Sequence, residues 1–339
     1  MYRVGVIGLG QIAWSIDNDA QRTGVWSHMG AYRRSPQTGV CAVSSRNEQV
    51  CIEVQNNYAV PNYYTDYRAM LDTEKLDVVS ICTPINTHHS ILMDCVNAGV
   101  QAIFCEKTLS YDIAAAEEMV DVCDEHEIVL AVNFVKRWDS VYRYAHNLLE
   151  SGAIGQLQTI VGYGATALHT SASHLIDMMC LFAGTPVWVI GDDPGGYVRN
   201  VHGVEDHGGI GMVKFDTGAV GFIKGASLTP RQYMSELDIM GERGRIRITD
   251  DGKQVALFHF AETSAAPGSG YESLGEVETS LPPVNERMVD AVADIVDCIA
   301  KKKQPRSSGS TSLESLRIID GIRRSAKNGN ARFSIQATA

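Results

Sequence analysis

The chain has 339 residues, 20% of them charged, and a formal net charge of −11 at pH 7. That length accommodates two domains and a sizeable core, while the negative charge gives no long-range attraction for nucleic acid or an anionic membrane. No apolar run approaches the ~18 residues of a bilayer span, and eight scattered cysteines, with no C-x-x-C pair or Cys/His cluster, argue against a metal site.

The opening "MYRVGVIGLG" lacks a basic segment followed by an apolar core and cleavage site, and reads as a strand entering a turn. Several cysteines lie in strand-like runs ("VSICTP", "AIFCEK"), where a reduced, buried thiol is the expected state. The expectation is a soluble cytoplasmic protein. Residues 1–133 alternate apolar runs ("YRVGVIG", "GVCAVSS", "LDVVSICT", "QAIFCE", "IVLAVNF") with helix-like segments around 48–57, 87–98 and 110–126. Near-continuous apolar strands separated by helices predict a parallel sheet covered on both faces. From about 155 strand follows strand: "LQTIVGYGA", "GGIGMVKF", "AVGFIKGAS", "MSELDIMG", "GRIRIT" and "QVALFHF", punctuated by "DTG", "GERG" and "DDG". That pattern predicts an open, mostly antiparallel sheet. A polar stretch at 262–285 precedes helix-like segments at 286–302 and 311–327.

"VGVIGLGQIA" places Gly5, Gly8, Gly10 and Ala13 directly after the first strand. In a G-x-G-x-x-A turn, Gly8 permits the tight turn and Gly10 lets the backbone approach a pyrophosphate. Ala13 then permits close helix–strand packing. Gln11 and Ile12 complete the loop, and a helix N-terminus is expected to face the phosphates. The fold class is thus a Rossmann-type, doubly wound α/β domain over 1–133. An α+β domain follows over 134–339, for substrate binding and oligomerisation, with helices 286–327 packing back on the first. At the end of "GVCAVSSRNEQ", where an acid normally holds the ribose diol, stand Ser44, Ser45 and Arg46. Hydroxyls and a guanidinium suit a 2′-phosphate, so NADP(H) is favoured, with NAD(H) the alternative. The interval between glycines and second strand is roughly ten residues longer than the usual ~20. In it, Trp26 and His28 either reach a substrate or pack the loop on the sheet.

"CTPINTHH" and "FCEKT", together with the glycine loop, resemble the glucose–fructose oxidoreductase/inositol dehydrogenase (Gfo/Idh/MocA) family, whose members carry T-P-N-x-x-H and then E-K-P. Thr83, Pro84 and His88 match the first motif; Glu106 and Lys107 match the second. "GERGRIRI" and "AVADIVDCIAKKKQP" extend the resemblance over nearly the whole chain. Ile85 replaces the usual Asn, and Thr108 the Pro that rigidifies the turn aiming the lysine, which predicts a looser turn. The resemblance implies cofactor contacts from Thr83, Pro84, His88, Glu106 and Lys107. It also implies that Lys107 steadies the reacting oxygen.

"HTSASHLID" matches the family's D-x-G-x-H-x-x-D as Thr170, Ala172, His174 and Asp177, with Thr in place of the first Asp. In a helix, 170, 174 and 177 share a face, with Ser171 or Ser173 as the cap and Gly184 at the end. Taken alone, His174 reads as a partly buried histidine bonded to a cap or carbonyl. The resemblance makes it the catalytic base, since imidazole exchanges protons near neutral pH. His169 and Asp177 are unranked candidates to supply the missing carboxylate's role. With Thr170 they join Arg137, Trp26 and His28 as candidate substrate contacts; Arg137 equally suits a domain-junction ion pair. The implied activity is hydride transfer between NAD(P) and a secondary alcohol of a sugar, sugar derivative or cyclitol. A sugar- or cofactor-sensing protein, or a glycosidase using transient oxidation, are the alternatives. No metal, nucleic acid or membrane is implied, and the open sheet predicts a homodimer or homotetramer.

Overall fold

A computed structural model describes the chain except residues 165–166, 194, 196–197, 202, 225–233, 263–266, 278, 280 and 336–339. It divides into two compact units, one of Met1–Asp139 with Asn285–Leu313, the other of Ser140–Val284 with Glu314–Ala339.

In the first unit the chain runs β1 (Tyr2–Ile7), α1 (His28–Arg34), β2 (Thr38–Ser44), α2 (Glu48–Tyr58), β3 (Asn62–Tyr64), α3 (Tyr67–Thr73), β4 (Val78–Ile81), α4 (His88–Asn97), β5 (Ala102–Cys105), α5 (Ile113–Glu125) and β6 (Val129–Val132). The strands form one parallel sheet in the order β3-β2-β1-β4-β5-β6. Every residue of β4 and β5 is buried, as strands covered on both faces require. Side-chain caps start the helices: Ser27, Asn47, Asp66 and Asp112 each accept an amide of the first turn of α1, α2, α3 and α5. β3, only three residues long, carries too little apolar pattern to be read from sequence.

The second unit contains α6 (Ser140–Glu150), β7 (Leu157–Gly164), α7 (Ser173–Ala183), β8 (Pro186–Asp192), the hairpin β9 (Arg199–Val201) and β10 (Val204–Asp206), β11 (Ile210–Phe215), β12 (Val220–Lys224), β13 (Ser235–Gly241), β14 (Gly244–Thr249), β15 (Gln254–Glu262) and β16 (Glu272–Val277). Then come, in chain order, α8 (Arg287–Lys301) of the first unit, α9 (Gly309–Lys327) and β17 (Phe333–Ser334). Nine strands make a mixed sheet in the order β16-β15-β14-β13-β7-β12-β11-β8-β17, antiparallel except for the β7–β12 pair. β16 lies within the stretch read from sequence only as polar; its alternation is too weak to announce a strand. The last residues expected of "LQTIVGYGA" (165) and "AVGFIKGAS" (225–227) lie outside the described residues.

β13 alternates strictly between buried and half-buried residues, so one sheet face packs and the other is open. On the packed face α7 lies very close to β7. A Cβ at Gly162 would stand 2.8 Å from Leu175 and 2.9 Å from the Met179 sulfur. Leu175, Ile176, Met179 and Phe182 of α7 join Ile160, Ile223, Leu237 and Ile239 of the sheet in one core. In the first unit Met288, Ala291, Val292 and Ile295 of α8 belong to the core of the parallel sheet.

Candidate active site

The cofactor cradle follows from two glycines. Gly8 has φ +87°, and a Cβ there would sit 2.7 Å from Thr83 Cγ2 and 2.9 Å from the Cys82 carbonyl, so only glycine fits. A Cβ on Gly10 would meet nothing within 4 Å, so that side of the loop is open. Among the described residues the amides of Gln11 and Ile12 make no backbone hydrogen bond. Open space and unspent N–H donors at the carboxyl end of β1 fit a pyrophosphate.

The helix expected right after this loop is interrupted. The chain turns through 11–14, makes a 3₁₀ turn at Ser15–Asn18, and begins α1 only at His28. His28 N donates to Ile12 O at 3.2 Å and Met29 N to Ala13 O at 2.9 Å. Those partners are sixteen residues apart where a helix has four, so the insertion is looped out and the ladder resumes across it. Asp17 staples the base of the loop. Its Oδ1 accepts from Trp26 N (2.8 Å) and Ser27 N (3.1 Å), and its Oδ2 from Ser27 Oγ (2.6 Å). The Trp26 ring packs against Arg22 and Arg287, 4.9 and 4.5 Å from its centroid.

At the end of β2, Ser44 is buried, and its carbonyl accepts Gly8 N at 2.8 Å. Ser45 is half-buried and Arg46 exposed. Glu48, the first acid beyond them, accepts from Tyr63 OH at 3.1 Å.

The ends of β4 and β5 are tied together by His88, which is fully buried. Its Nε2 lies 2.9 Å from Thr83 O, and its Nδ1 lies 3.1 Å from Thr108 O and 3.2 Å from Leu109 O. Burial disfavours the imidazolium more strongly than these carbonyls and Glu106 favour it, so the ring's pKa lies below its ordinary value. His88, expected to touch cofactor, is therefore a brace between two loops. Thr87 Oγ1 adds hydrogen bonds to Thr83 Oγ1 (2.8 Å) and Pro84 O (2.7 Å). The turn after Lys107 is not loose: Thr108 and Leu109 are fully buried, and both their carbonyls face His88 Nδ1. Lys107 itself is half-buried.

Beneath Lys107, His28 is fully buried between Ser80 Oγ (2.9 Å to Nδ1) and Glu106 Oε1 (2.9 Å to Nε2). With both nitrogens engaged in the interior, His28 supports Glu106 and does not reach a substrate. Asn133 Nδ2 donates to the same Oε1 at 2.6 Å. Burial raises the Glu106 pKa, but the hydrogen bond and charge of His28, the Asn133 bond and the Lys107 charge outweigh it, holding the carboxyl below its ordinary range. Arg137 is buried, and its Nη1 donates to Arg306 O at 3.3 Å.

In the second unit the segment carrying His174 opens with a π-helical turn, Leu168–Ala172, in which Ala172 N reaches Ala167 O at 3.2 Å. Its start is held from outside: Asp206 Oδ1 accepts His169 N (3.0 Å) and Oδ2 accepts Thr170 N (2.9 Å). Asp206, at the end of β10, is 1% exposed. Ser173 does not cap this start. Ser173 Oγ donates to His169 O at 2.7 Å, and the Ser171 side chain lies outside the described residues. Thr170 and His174 are half-buried. His169 is buried, with Arg323 Nη1 3.4 Å from its Nε2. Asp177 is fully buried and accepts a long bond from Ser315 Oγ of α9 (3.5 Å). Gly184, φ +93°, ends α7.

Residues 2–134 match the family model described as an oxidoreductase family with an NAD-binding Rossmann fold, and residues 162–334 match its C-terminal alpha/beta domain. The chain belongs to the GFO_IDH_MocA oxidoreductase family. Curated relatives of this family include a myo-inositol 2-dehydrogenase of Thermotoga maritima, 24% identical over 72% of this chain and 74% of that protein. A D-xylose 1-dehydrogenase (NADP(+)) of Haloferax volcanii is 25% identical over 86% of this chain and 90% of that one. Among solved structures, a levoglucosan dehydrogenase in complex with NADH superposes with a TM-score of 0.82, at 20% identity, covering 99% of this chain and 100% of the other.

As a GFO_IDH_MocA protein the chain has Thr at position 170, and the carboxylate on that residue's amide comes from Asp206. Nothing local pointed to it, because the hairpin that carries it has strands of only three residues. Asn133 and Ser80 also escaped the sequence reading; each is one polar residue in or beside an apolar strand run. Among the described residues no group of three His, Cys, Asp or Glu is arranged to hold a metal, and no helix is long and apolar enough to cross a membrane. All eight cysteines are buried, and none is in a disulfide bond.

Proposed function

We propose that the protein is a nicotinamide-dependent dehydrogenase acting on a secondary alcohol of a sugar, sugar derivative or cyclitol. The observation that carries this reading is the Gly8–Gly10 cradle at the carboxyl end of the same parallel sheet that places Lys107 after β5. Gly8, Gly10, Gln11 and Ile12 would hold the pyrophosphate, with Thr83 and Pro84 alongside. A bound nicotinamide supplies the hydride acceptor or donor. Lys107 donates a hydrogen bond to the reacting oxygen and favours its negative charge. His174 takes the hydroxyl proton during oxidation and returns it during reduction. Thr170 and Arg137 are the substrate contacts we retain from the sequence.

We favour NADP(H) over NAD(H), because exposed Arg46 beside Ser45 suits a 2′-phosphate, while the nearest acid, Glu48, is engaged by Tyr63. Dissociation constants for both cofactors test this; a marked preference for NAD(H) defeats it. We place the enzyme in the cytoplasm, where eight buried thiols outside any disulfide stay reduced. We also propose a homodimer or homotetramer through the open sheet face, where Ile190, Met212, Phe222 and Val161 stand side by side across four strands. Phe222 is 42% exposed in the single chain. Sedimentation showing only monomer at micromolar concentration refutes that assembly.

The activity is tested by following reduced-cofactor absorbance with a panel of polyols and aldoses. Turnover on a secondary alcohol is expected. Cofactor binding without turnover defeats the dehydrogenase reading in favour of a sensor; glycoside cleavage with retained cofactor defeats it in favour of a glycosidase.

A further inference from the structure

Asn133 follows β6 as Glu106 follows β5, and Asn133 N donates to Cys105 O at 2.8 Å, so both side chains rise from one edge of the sheet. Their amide–carboxylate contact fixes the orientation of Asn133, since the reversed amide would set Oδ1 against a carboxylate oxygen at 2.6 Å. Asn133 is only 4% exposed, and its Oδ1 accepts no hydrogen bond among the described residues. Buried acceptors are nearly always satisfied, so an orphan of this kind calls for a partner. Glu106 completes the pattern. Its Oε1 is taken by both His28 and Asn133, whereas Oε2 has no partner among the described residues and the side chain keeps 13% exposure.

The proton order beneath is consistent. Tyr32 OH lies 2.8 Å from Ser80 Oγ, which lies 2.9 Å from His28 Nδ1, so the hydroxyls serve Nδ1 and leave His28 Nε2 to donate to Glu106 Oε1. What remains at the sheet edge is a pair of acceptors. Their complement is a nitrogen carrying two N–H groups, as in a primary carboxamide. A dinucleotide offers two such nitrogens, but the adenine end belongs at β2, separated from β5 by β1 and β4 in the sheet order.

We propose that Asn133 Oδ1 and Glu106 Oε2 are the acceptors that bind the carboxamide N–H groups of the nicotinamide, with His28 as the positioning residue beneath Glu106. This rests on the nicotinamide reading above and names how that ring is recognised. Asn133 and His28 then act on binding and orientation, and neither carries a proton of the reaction.

The test uses the whole protein and a cofactor pair: the tighter-binding of NADH and NADPH, and its 3-acetylpyridine analogue, which keeps the carbonyl but lacks both N–H groups. Dissociation constants come from fluorescence titration without substrate. Wild type should prefer the carboxamide by roughly tenfold, the worth of one to two net hydrogen bonds. Asn133→Ala should bring that preference below about threefold while leaving the affinity for the adenosine-diphosphate-ribose fragment unchanged. His28→Gln, which keeps a donor toward Glu106, should retain more of the preference than His28→Ala. Equal binding of the two cofactors by wild type, which needs no variant to fold, overturns the proposal, as does an undiminished preference in Asn133→Ala. Failure to bind either cofactor sinks the nicotinamide reading itself, so the two failures are distinguishable.

Discussion

Replacing His88 with alanine tests whether a buried brace holds the Lys107 turn. The ring is 0% exposed and stands between the carbonyls of Thr83 and of Thr108 and Leu109. As a neutral imidazole it donates through one nitrogen, so His88→Ala strands one buried carbonyl at about 1–3 kcal/mol. It also opens a cavity, for which large-to-alanine changes cost about 2–5 kcal/mol. The terms overlap, and a loss of about 3–5 kcal/mol is expected, large against a total of about 5–15 kcal/mol. The pH dependence has a definite sign. Burial holds the folded pKa below its ordinary value, so below about pH 6.5 the unfolded chain takes a proton that the folded chain refuses. His88's contribution is thus fully present above that pH and fades beneath it, by up to about 1.4 kcal/mol per unit until the folded pKa is reached. Urea unfolding at pH 7.5 and 5.5, followed by tryptophan fluorescence, should show the gap between wild type and variant narrowing in acid. Three of the four tryptophans, Trp14, Trp26 and Trp138, report on the first unit. A variant within 0.5 kcal/mol of wild type, or a gap that widens in acid, refutes the brace; widening would mean that the folded ring is an imidazolium.

Lys107→Ala should lower turnover by about 10²–10³ while leaving cofactor affinity nearly intact, because the glycine cradle is untouched; an unchanged rate removes Lys107 from the mechanism. His174→Ala should cost about 10²–10⁴ in turnover, and the wild-type rate of alcohol oxidation, measured where hydride transfer limits, should rise with pH through the histidine's ionisation. An identical pH profile and rate in the variant would dismiss His174 as the base. Thr170→Asp should move that profile to higher pH, since a nearby carboxylate stabilises imidazolium; a profile that stays put would show that the added charge does not reach the ring. Asp206→Ala removes both acceptors on the His169 and Thr170 amides and should destabilise the second unit by roughly 1–2 kcal/mol, the worth of a helix cap. Chemical denaturation reads this directly, and an unaltered midpoint would show that the π turn holds itself.

What could be read from the sequence was what adjacent residues decide together. Near-continuous apolar runs such as "VVSI" and "AIFC" announce strands buried on both faces, because burial on both sides leaves room for a polar residue only where it is bonded, as Ser80 is to His28 and Tyr32. Gly8 was legible for the same local reason: a turn at φ +87° with no room for a Cβ admits few sequences. The long interval before β2 was visible too, but not its consequence, since the ladder between Ile12 and His28 forms only once the insertion has closed on itself. Tertiary structure alone decided the partners. His28 meets Glu106 across 78 positions and Asp206 meets Thr170 across 36, and no local pattern encodes which distant polar group will fill a buried hydrogen-bonding position. The same holds for Asp177, whose helical phase with Thr170 and His174 was legible but whose contact with Ser315 of α9, 138 positions on, was not. Periodicity fixes the direction in which a side chain leaves its own helix or strand; what it meets there depends on which other segment packs against it, and that is settled only when the whole core closes.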